Sequence, residues 1–282
     1  MEVAHPKFWQ TSRFRIDLGA PCVMGIVNVT PDSFSDGGQF LNSAAALAHC
    51  EVLLRDGAHI LDIGAESSRP GAAAIGWQEE WQRVQPVLLG ALNMGCPISL
   101  DTTKAELMRR ALDMGVDIVN DINALQAPGA LAAVAAHAAC GVSLMHMQGQ
   151  PQSMQAAPQY TDVVEDVAEF LARRLAALTS HHVALQRIVL DPGIGFGKTA
   201  AHNVELLRRQ AELLTLGQPL LVGWSRKSTL GAVTGKPSGD RLIASVAAAL
   251  AAVHHGASVV RVHDVAATVD ALKIWKAAGL AA

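Results

Sequence analysis

Residues 98–119 read Ile98-Ser-Leu-Asp-Thr-Thr-Lys-Ala-Glu-Leu-Met-Arg-Arg-Ala-Leu-Asp-Met-Gly-Val-Asp-Ile-Val119. A short apolar run, Ile98–Leu100, stops on Asp101. Lys104–Met114 follows, with Leu107, Ala111 and Met114 spaced to share one helical face. Asp101 and Thr102 offer the cap that starts this helix. Gly115 offers the left-handed residue that ends it, and Asp117–Val119 begins a second short run. This is one strand–helix–strand unit.

The unit recurs along the chain. Strands are expected at Cys22–Val27, His59–Ile63, Ile98–Leu100, Asp117–Val119, Val142–Met145, Ile188–Leu190, Leu220–Val222 and Ser258–Val260. Helices are expected near 44–55, 78–93, 104–114, 129–137, 163–180, 202–214, 241–254 and 266–278. Glycines 57, 95, 115, 141 and 256 each follow a helical run, and Ser238 is placed to cap the helix through Arg241. Such alternation argues a parallel sheet with crossover helices. Eight units in 282 residues is roughly 35 each, which fits an α/β fold of one closed (β/α)8 TIM barrel of about 250 residues. An open doubly wound sheet is the fallback, but the chain shows neither its switch point nor a dinucleotide fingerprint. Residues 1–20 read as an N-terminal arm and 21–282 as the barrel domain. The arm, with Phe8, Trp9 and Arg13–Leu18, is expected to cover the barrel's lower end.

Composition narrows the function classes. Hydrophobic residues are 50% and charged residues 17%, which excludes a disordered chain, while aromatics are only 4%. The net charge of −3 provides no basic excess to draw nucleic acid or an anionic membrane, so neither is expected as a partner. Met1–Gln10 lacks the pattern of a signal peptide. The most apolar stretch, Ile243–Val253, is too short to span a bilayer. Cys22, Cys50, Cys96 and Cys140 lie far apart and read as buried thiols in a reducing compartment. A soluble cytoplasmic protein is expected.

Reacting groups of such barrels sit at the carboxyl ends of the strands. Here those ends read Asn28, Asp62, Asp101, Asn120–Asp121, His146, Asp191, Ser225–Lys227 and Arg261–His263. A single Asp there is commonly a helix cap; a full ring of polar ends points to a ligand with donor edges and an anionic tail. The first strand–helix loop, Asn28–Gly38, and the second, Gly64–Gly71, are long enough to be covers, with Phe34 and Arg69 as their prominent side chains. Asp191-Pro-Gly-Ile-Gly-Phe-Gly-Lys198 resembles a phosphate loop, but its spacing is one residue short. Its glycines are expected to keep backbone clear of a planar ligand, with Phe196 offering a face. Arg261 and His263 alternate on one strand, so both point the same way and suit phosphate oxygens. His146, between two methionines, reads as a structural histidine.

Taken together, these segments closely resemble the dihydropteroate synthase family. The matching stretches are Met24–Gly38, Asp62–Gly71, Ser99–Lys104, Val119–Ile122, Leu144–Gly149, Leu190–Lys198, Ser225–Ser228 and Arg261–Asp264. The resemblance implies condensation of 6-hydroxymethyl-7,8-dihydropterin diphosphate with 4-aminobenzoate, in folate biosynthesis, by a sulfonamide-sensitive homodimer using Mg2+. It implies catalytic roles for Asp101, Lys227, Arg261 and His263. The pterin site would be Asp101, Asn120, Asp191, Lys227 and Arg261; the diphosphate site Asn28, Arg261 and His263, with Asn28 as the Mg2+ ligand. The aminobenzoate site would be Phe34, Ser68, Arg69, Pro70, Phe196, Lys227 and Ser228.

One departure stands out. The family usually reads Gly-Gly-Glu-Ser-Thr-Arg-Pro-Gly where this chain has Ala65 and Ser68. Ser68 keeps the hydroxyl but lacks a methyl worth about 0.8 kcal/mol if buried, which implies slightly weaker aminobenzoate contact. Two other readings use the same barrel. A non-catalytic pterin-binding paralogue is expected to have lost one of Asp101, Lys227, Arg261 or His263. A pterin-dependent methyltransferase is expected to lack Ser225–Ser228.

Overall fold

The chain begins with a hairpin, β1 (Phe8–Gln10) paired antiparallel with β2 (Arg15–Asp17). A computed structural model describes residues 7–30, 39–66, 74–151 and 153–280. After the hairpin come β3 (Cys22–Asn28), α1 (Gln39–Arg55), β4 (Ile60–Gly64), α2 (Trp77–Ala91), β5 (Ile98–Asp101), α3 (Ala105–Met114) and β6 (Ile118–Asp121). Next are α4 (Ala130–Ala135), β7 (Gly141–Met145), α5 (Val163–Ser180), β8 (Ile188–Asp191), α6 (Ala200–Arg208) and β9 (Leu220–Val222). The chain closes with α7 (Ser228–Thr234), α8 (Leu242–His254), β10 (Ala257–Val262) and α9 (Val265–Ala277). Among the described residues, β3 to β10 form a closed barrel of eight parallel strands in sequence order, β10 pairing with β3. The TIM barrel expected from the sequence is the fold observed.

Side chains alternate along each strand, and the two faces have different company. Val23, Leu61, Leu100, Val119, Leu190 and Val260 face outward into one large cluster with the helices. Met24, Ile60, Ile118, Val189, Leu221 and Val259 face inward and meet as an apolar floor. Trp9, with no exposed surface, joins that floor from the hairpin, together with Ile16. Its Nε1 donates to Arg187 O at 2.9 Å. Arg13 fastens the same hairpin, donating from Nη2 to Asp117 Oδ2 at 2.6 Å and from Nε to Asp117 Oδ1 at 3.0 Å.

Several local expectations are corrected. Gly141 does not end a helix in a left-handed conformation; it opens β7, where an added Cβ would lie 3.0 Å from Trp9 Nε1. Gly115 does cap α3, at φ 106°. Lys104, not Asp101, is the N-cap of α3, because Asp101 still belongs to β5 and turns into the barrel. Ser238 starts a separate 3₁₀ turn, Ser238–Asp240, which leaves Arg241 as the N-cap of α8. The helix expected over 202–214 divides into α6 and a 3₁₀ stretch, Gln210–Leu216. The four cysteines are free and buried. No helix among the described residues is long and apolar enough to cross a membrane.

Because Trp9 closes the floor and its indole has a specific acceptor, Trp9→Ala is expected to lower unfolding free energy by about 3–5 kcal/mol in urea titrations. A change under about 1 kcal/mol would show that the hairpin is not part of the cooperative unit.

Candidate active site

Two residues above the floor, the inward positions become polar. Ile60 gives way to Asp62, Ile118 to Asn120, Val189 to Asp191 and Val259 to Arg261. Asp62 is fully buried and lies at the centre of the resulting network. Its Oδ2 accepts from Arg261 Nε at 2.6 Å and from Asn120 Nδ2 at 3.1 Å. Arg261 Nη2 reaches Asp101 Oδ2 at 2.7 Å. One guanidinium therefore bridges two carboxylates from β4 and β5, both distant in sequence. Asp62 Oδ1 is buried without a partner, an acceptor left open in the heart of the site. The sequence marked Asp62 only as a strand end. Its weight comes from Arg261, 199 residues away, which no local pattern reveals.

The neighbouring pair Asn120–Asp121 is split by the strand period. Asn120 points inward, whereas Asp121 accepts from Asn123 N at 2.7 Å and Leu125 N at 2.8 Å, fixing the turn after β6.

After β8, the loop of residues 193–197 folds against the segment after β7. Gly193 and Gly197 have φ of 69° and 60°, and a Cβ on them would lie 1.9 Å from His146 O and 2.3 Å from Gln148 O. These glycines clear the protein's own backbone, a correction to the expectation that they clear a ligand. Asp191 Oδ1 accepts from Gly193 N at 2.7 Å. Lys198, a residue the sequence did not single out, is almost fully buried behind the loop. Its ammonium donates to Gly193 O at 3.0 Å and Phe196 O at 3.1 Å, and lies 2.8 Å from His146 Nδ1. Burial pushes Lys198 down to about 7 and His146 to about 3, so this histidine is a neutral acceptor. Its reading as structural agrees with that geometry.

Lys227 precedes α7 and turns inward, with Nζ 4.2 Å from the centre of the Phe196 ring. Desolvation, aided by Arg261, lowers its pKa to about 8. The adjacent Arg226 turns the other way and pairs with Asp264 at the surface, so the two neighbouring cations are not stacked in one place. Ser228 is the first residue of α7 and is exposed. Ser225 Oγ lies 2.9 Å from His263 Nδ1. Desolvation, then repulsion from Arg226 and Arg261, holds His263 down at about 3. That ring is therefore neutral at physiological pH and offers an N–H in place of a charge. Asn28 ends β3, half-buried on the same rim. Phe34, Ser68, Arg69 and Pro70 lie outside the described residues. At the base of the second loop, Lys104 pairs with Glu66 and Glu80, and Glu66 Oε1 accepts from Ile75 N at 3.0 Å.

Loss of water raises Asp101 to about 7 and Asp191 to about 6, with Arg261 opposing the shift in both. A carbon-detected NMR titration of Asp101 is expected to show a midpoint near 7. Arg261→Met, by removing the opposing cation, should move it higher. A midpoint near an ordinary carboxylate value of about 4 would contradict this account.

Comparison with known proteins places this rim in a family. Residues 24–263 match the family model described as pterin binding enzyme. A dihydropteroate synthase of Neisseria meningitidis serogroup B is 53% identical over 278 residues, covering 96% of this chain and 98% of that one. The structure of the Xanthomonas albilineans dihydropteroate synthase with 4-aminobenzoic acid superposes with a TM-score of 0.89 at 48% identity, covering 94% and 95% of the two chains. The Burkholderia cenocepacia dihydropteroate synthase complexed with 7,8-dihydropteroate gives 0.87 at 46% identity, covering 97% of each chain. The chain belongs to the pterin-binding enzymes and, among them, to the dihydropteroate synthase family.

Proposed function

We infer that this chain condenses 6-hydroxymethyl-7,8-dihydropterin diphosphate with 4-aminobenzoate, giving 7,8-dihydropteroate and pyrophosphate. The observation that carries the reading is the buried carboxylate Asp62 bound to Asn120 and Arg261, with Asp101 on the same guanidinium and Asp191 and Lys227 within its electrostatic reach. It stands in a chain 53% identical to a dihydropteroate synthase. None of Asp101, Lys227, Arg261 and His263 has been replaced, which speaks against a non-catalytic paralogue.

Each group has a physical task in that reaction. The N–H edges of a pterin suit the acceptors Asp101, Asn120 and Asp191, while Lys227 donates to the ring. Arg261 presents a guanidinium face for stacking and a charge toward the diphosphate. The C–O bond at the pterin methylene breaks with its electron pair leaving on the diphosphate. Arg261 and the neutral N–H of His263 hold that growing negative charge. Asp101 in its ionised form, which a midpoint near 7 keeps populated at neutral pH, stabilises the positive charge left on the pterin. The amine nitrogen of aminobenzoate then bonds to the methylene and loses a proton. Phe196, Lys227 and Ser228 form the described part of its pocket; Phe34, Ser68, Arg69 and Pro70 complete the proposal from the family motifs.

Asn28 would hold a divalent cation at this rim. Its carboxamide stands half-buried at the end of β3, and a neutral hard oxygen beside water and diphosphate oxygens suits Mg2+. Among the described residues no three acidic, imidazole or thiol groups cluster as a metal site, so the substrate itself would supply most of the ligands. Bound there, Mg2+ would draw charge from the leaving group.

A second protomer also belongs to this reading. Val233 on α7, Ile243 on α8 and Ile274 on α9 are 67%, 85% and 72% exposed, and α8 packs against both of its neighbours. Large apolar side chains left on adjoining helices support a homodimer through this side of the barrel. The free buried thiols support a reducing, cytoplasmic setting.

A pyrophosphate-release assay with the pterin diphosphate, Mg2+ and 4-aminobenzoate is expected to show turnover that needs both substrates. Binding of the pterin without turnover would favour the non-catalytic reading. Lys227→Ala is expected to lower kcat/KM by about a hundredfold in a folded protein; near-normal turnover would remove Lys227 from the mechanism. Light scattering should give the mass of two chains, falling toward one in Ile243→Glu. An unchanged mass would place the interface elsewhere.

A further inference from the structure

The described walls of the proposed aminobenzoate pocket come from two different strand–helix units. Phe196 rides on the glycine loop after β8, while Lys227 and Ser228 stand at the start of α7 after β9. Across the pocket they meet through Lys227, whose Cδ would lie 3.2 Å from a Cβ on Gly195. That contact is one flexible side chain and does little to fix a distance.

A stiffer tie lies behind the pocket, on α6. Asn203 is 1% exposed and uses its carboxamide on both walls. Oδ1 accepts from Gly195 N at 2.8 Å, the residue before Phe196. Nδ2 donates to Thr229 Oγ1 at 2.9 Å, the residue after Ser228, and to Thr199 O at 2.9 Å. A backbone N–H can only donate and a carbonyl can only accept, so the partners fix the amide's orientation. Thr229 is itself 3% exposed. The hydrogen bonds of the Asp62–Asn120–Arg261–Asp101 network run between strands, whereas Asn203 and Thr229 lie on α6 and α7.

We propose that Asn203 and Thr229 are positioning residues whose hydrogen bond sets the separation of Phe196 from Ser228, and so tunes affinity for 4-aminobenzoate far more than for the pterin. The proposal rests on the pocket assignment above. The bond is buried and both amide N–H groups are engaged, so losing the Thr229 hydroxyl leaves one Asn203 N–H without an acceptor, and losing Asn203 leaves the Thr229 hydroxyl without its partner. The strand-borne pterin acceptors keep their own ties. A loosened wall therefore falls on the second substrate.

The test is steady-state kinetics on the full chain, with KM read for each substrate. Thr229→Val removes the hydroxyl at nearly constant shape and is expected to raise the aminobenzoate KM about fivefold or more. The pterin diphosphate KM should stay within about twofold, a split that loss of stability alone does not produce. Thr229→Ser, which restores the acceptor, should recover most of the loss. Asn203→Leu should act in the same direction, and the double variant should be little worse than Asn203→Leu, because both break one shared bond. Where Asn203→Leu loses the fold, Thr229→Val with its serine rescue decides. An unchanged aminobenzoate KM in folded Thr229→Val, or an equal rise in both KM values, would overturn the proposal. Phe196→Ala and Ser228→Ala serve as the reference. If they raise the aminobenzoate KM while Thr229→Val does not, only the positioning role fails. If they leave it unchanged, the pocket assignment fails and takes the positioning role with it.

Discussion

Side chains on a strand of a closed parallel barrel must alternate between the interior and the helical shell, and nearly everything in this molecule follows from that period. Successive inward positions are about 6.6 Å apart along a strand. Within one such step Ile60, Ile118, Val189 and Val259 give way to Asp62, Asn120, Asp191 and Arg261. The polar groups thus stand directly on a dry floor that Trp9 seals from below. Water cannot reach them from that side, and the raised pKa values of Asp101 and Asp191 express the consequence.

Carboxylates gathered on such a floor need a compensating cation. Arg261 provides it, bound to Asp62 and Asp101 at once. Removing one partner of a buried pair leaves the other exposed to the full desolvation penalty, so the arrangement ties three strands together electrostatically. It also leaves the network unfinished, since Asp62 Oδ1 still lacks a donor. Lys227, lowered to about 8, is still mostly protonated at neutral pH and adds a second cation beside this core, whereas His263 is neutral. A ligand that brings N–H donors to the acceptors and negative charge to Arg261 satisfies both deficits together. That pairing of needs is what a pterin diphosphate carries.

How much of this was legible in the sequence depended on whether the signal was local. Ile98–Asp101 followed by a helical stretch and Gly115 is a local pattern, and the barrel follows from its repetition. The strand-end residues were equally visible, because a polar residue closing an apolar run is unusual within a few positions. Asp62 was visible yet unweighted, since its importance is a contact with a residue 199 positions away. The glycines at 193 and 197 announced a close approach but not its partner; only the fold shows that His146 and Gln148 occupy that side. Arg226 and Lys227 look equivalent as letters. The backbone at Arg226, with φ of 61°, sends one outward to Asp264 and leaves the other inside.

A division of labour emerges between strands and loops. Asn120, Asp191, Asp101 and Arg261 belong to strands whose backbones are hydrogen-bonded into the barrel, which gives a fused polar ring the fixed acceptor geometry it requires. Phe196, Lys227 and Ser228 belong instead to a loop and a helix start, which have no strand pairing to hold them. Their positions must be set by side chains, and the buried donors and acceptors behind them, Lys198 and Asn203 above all, do that. The outer half of the site is therefore built from interactions that can be altered one hydrogen bond at a time. The inner half cannot be altered without disturbing the barrel that carries it.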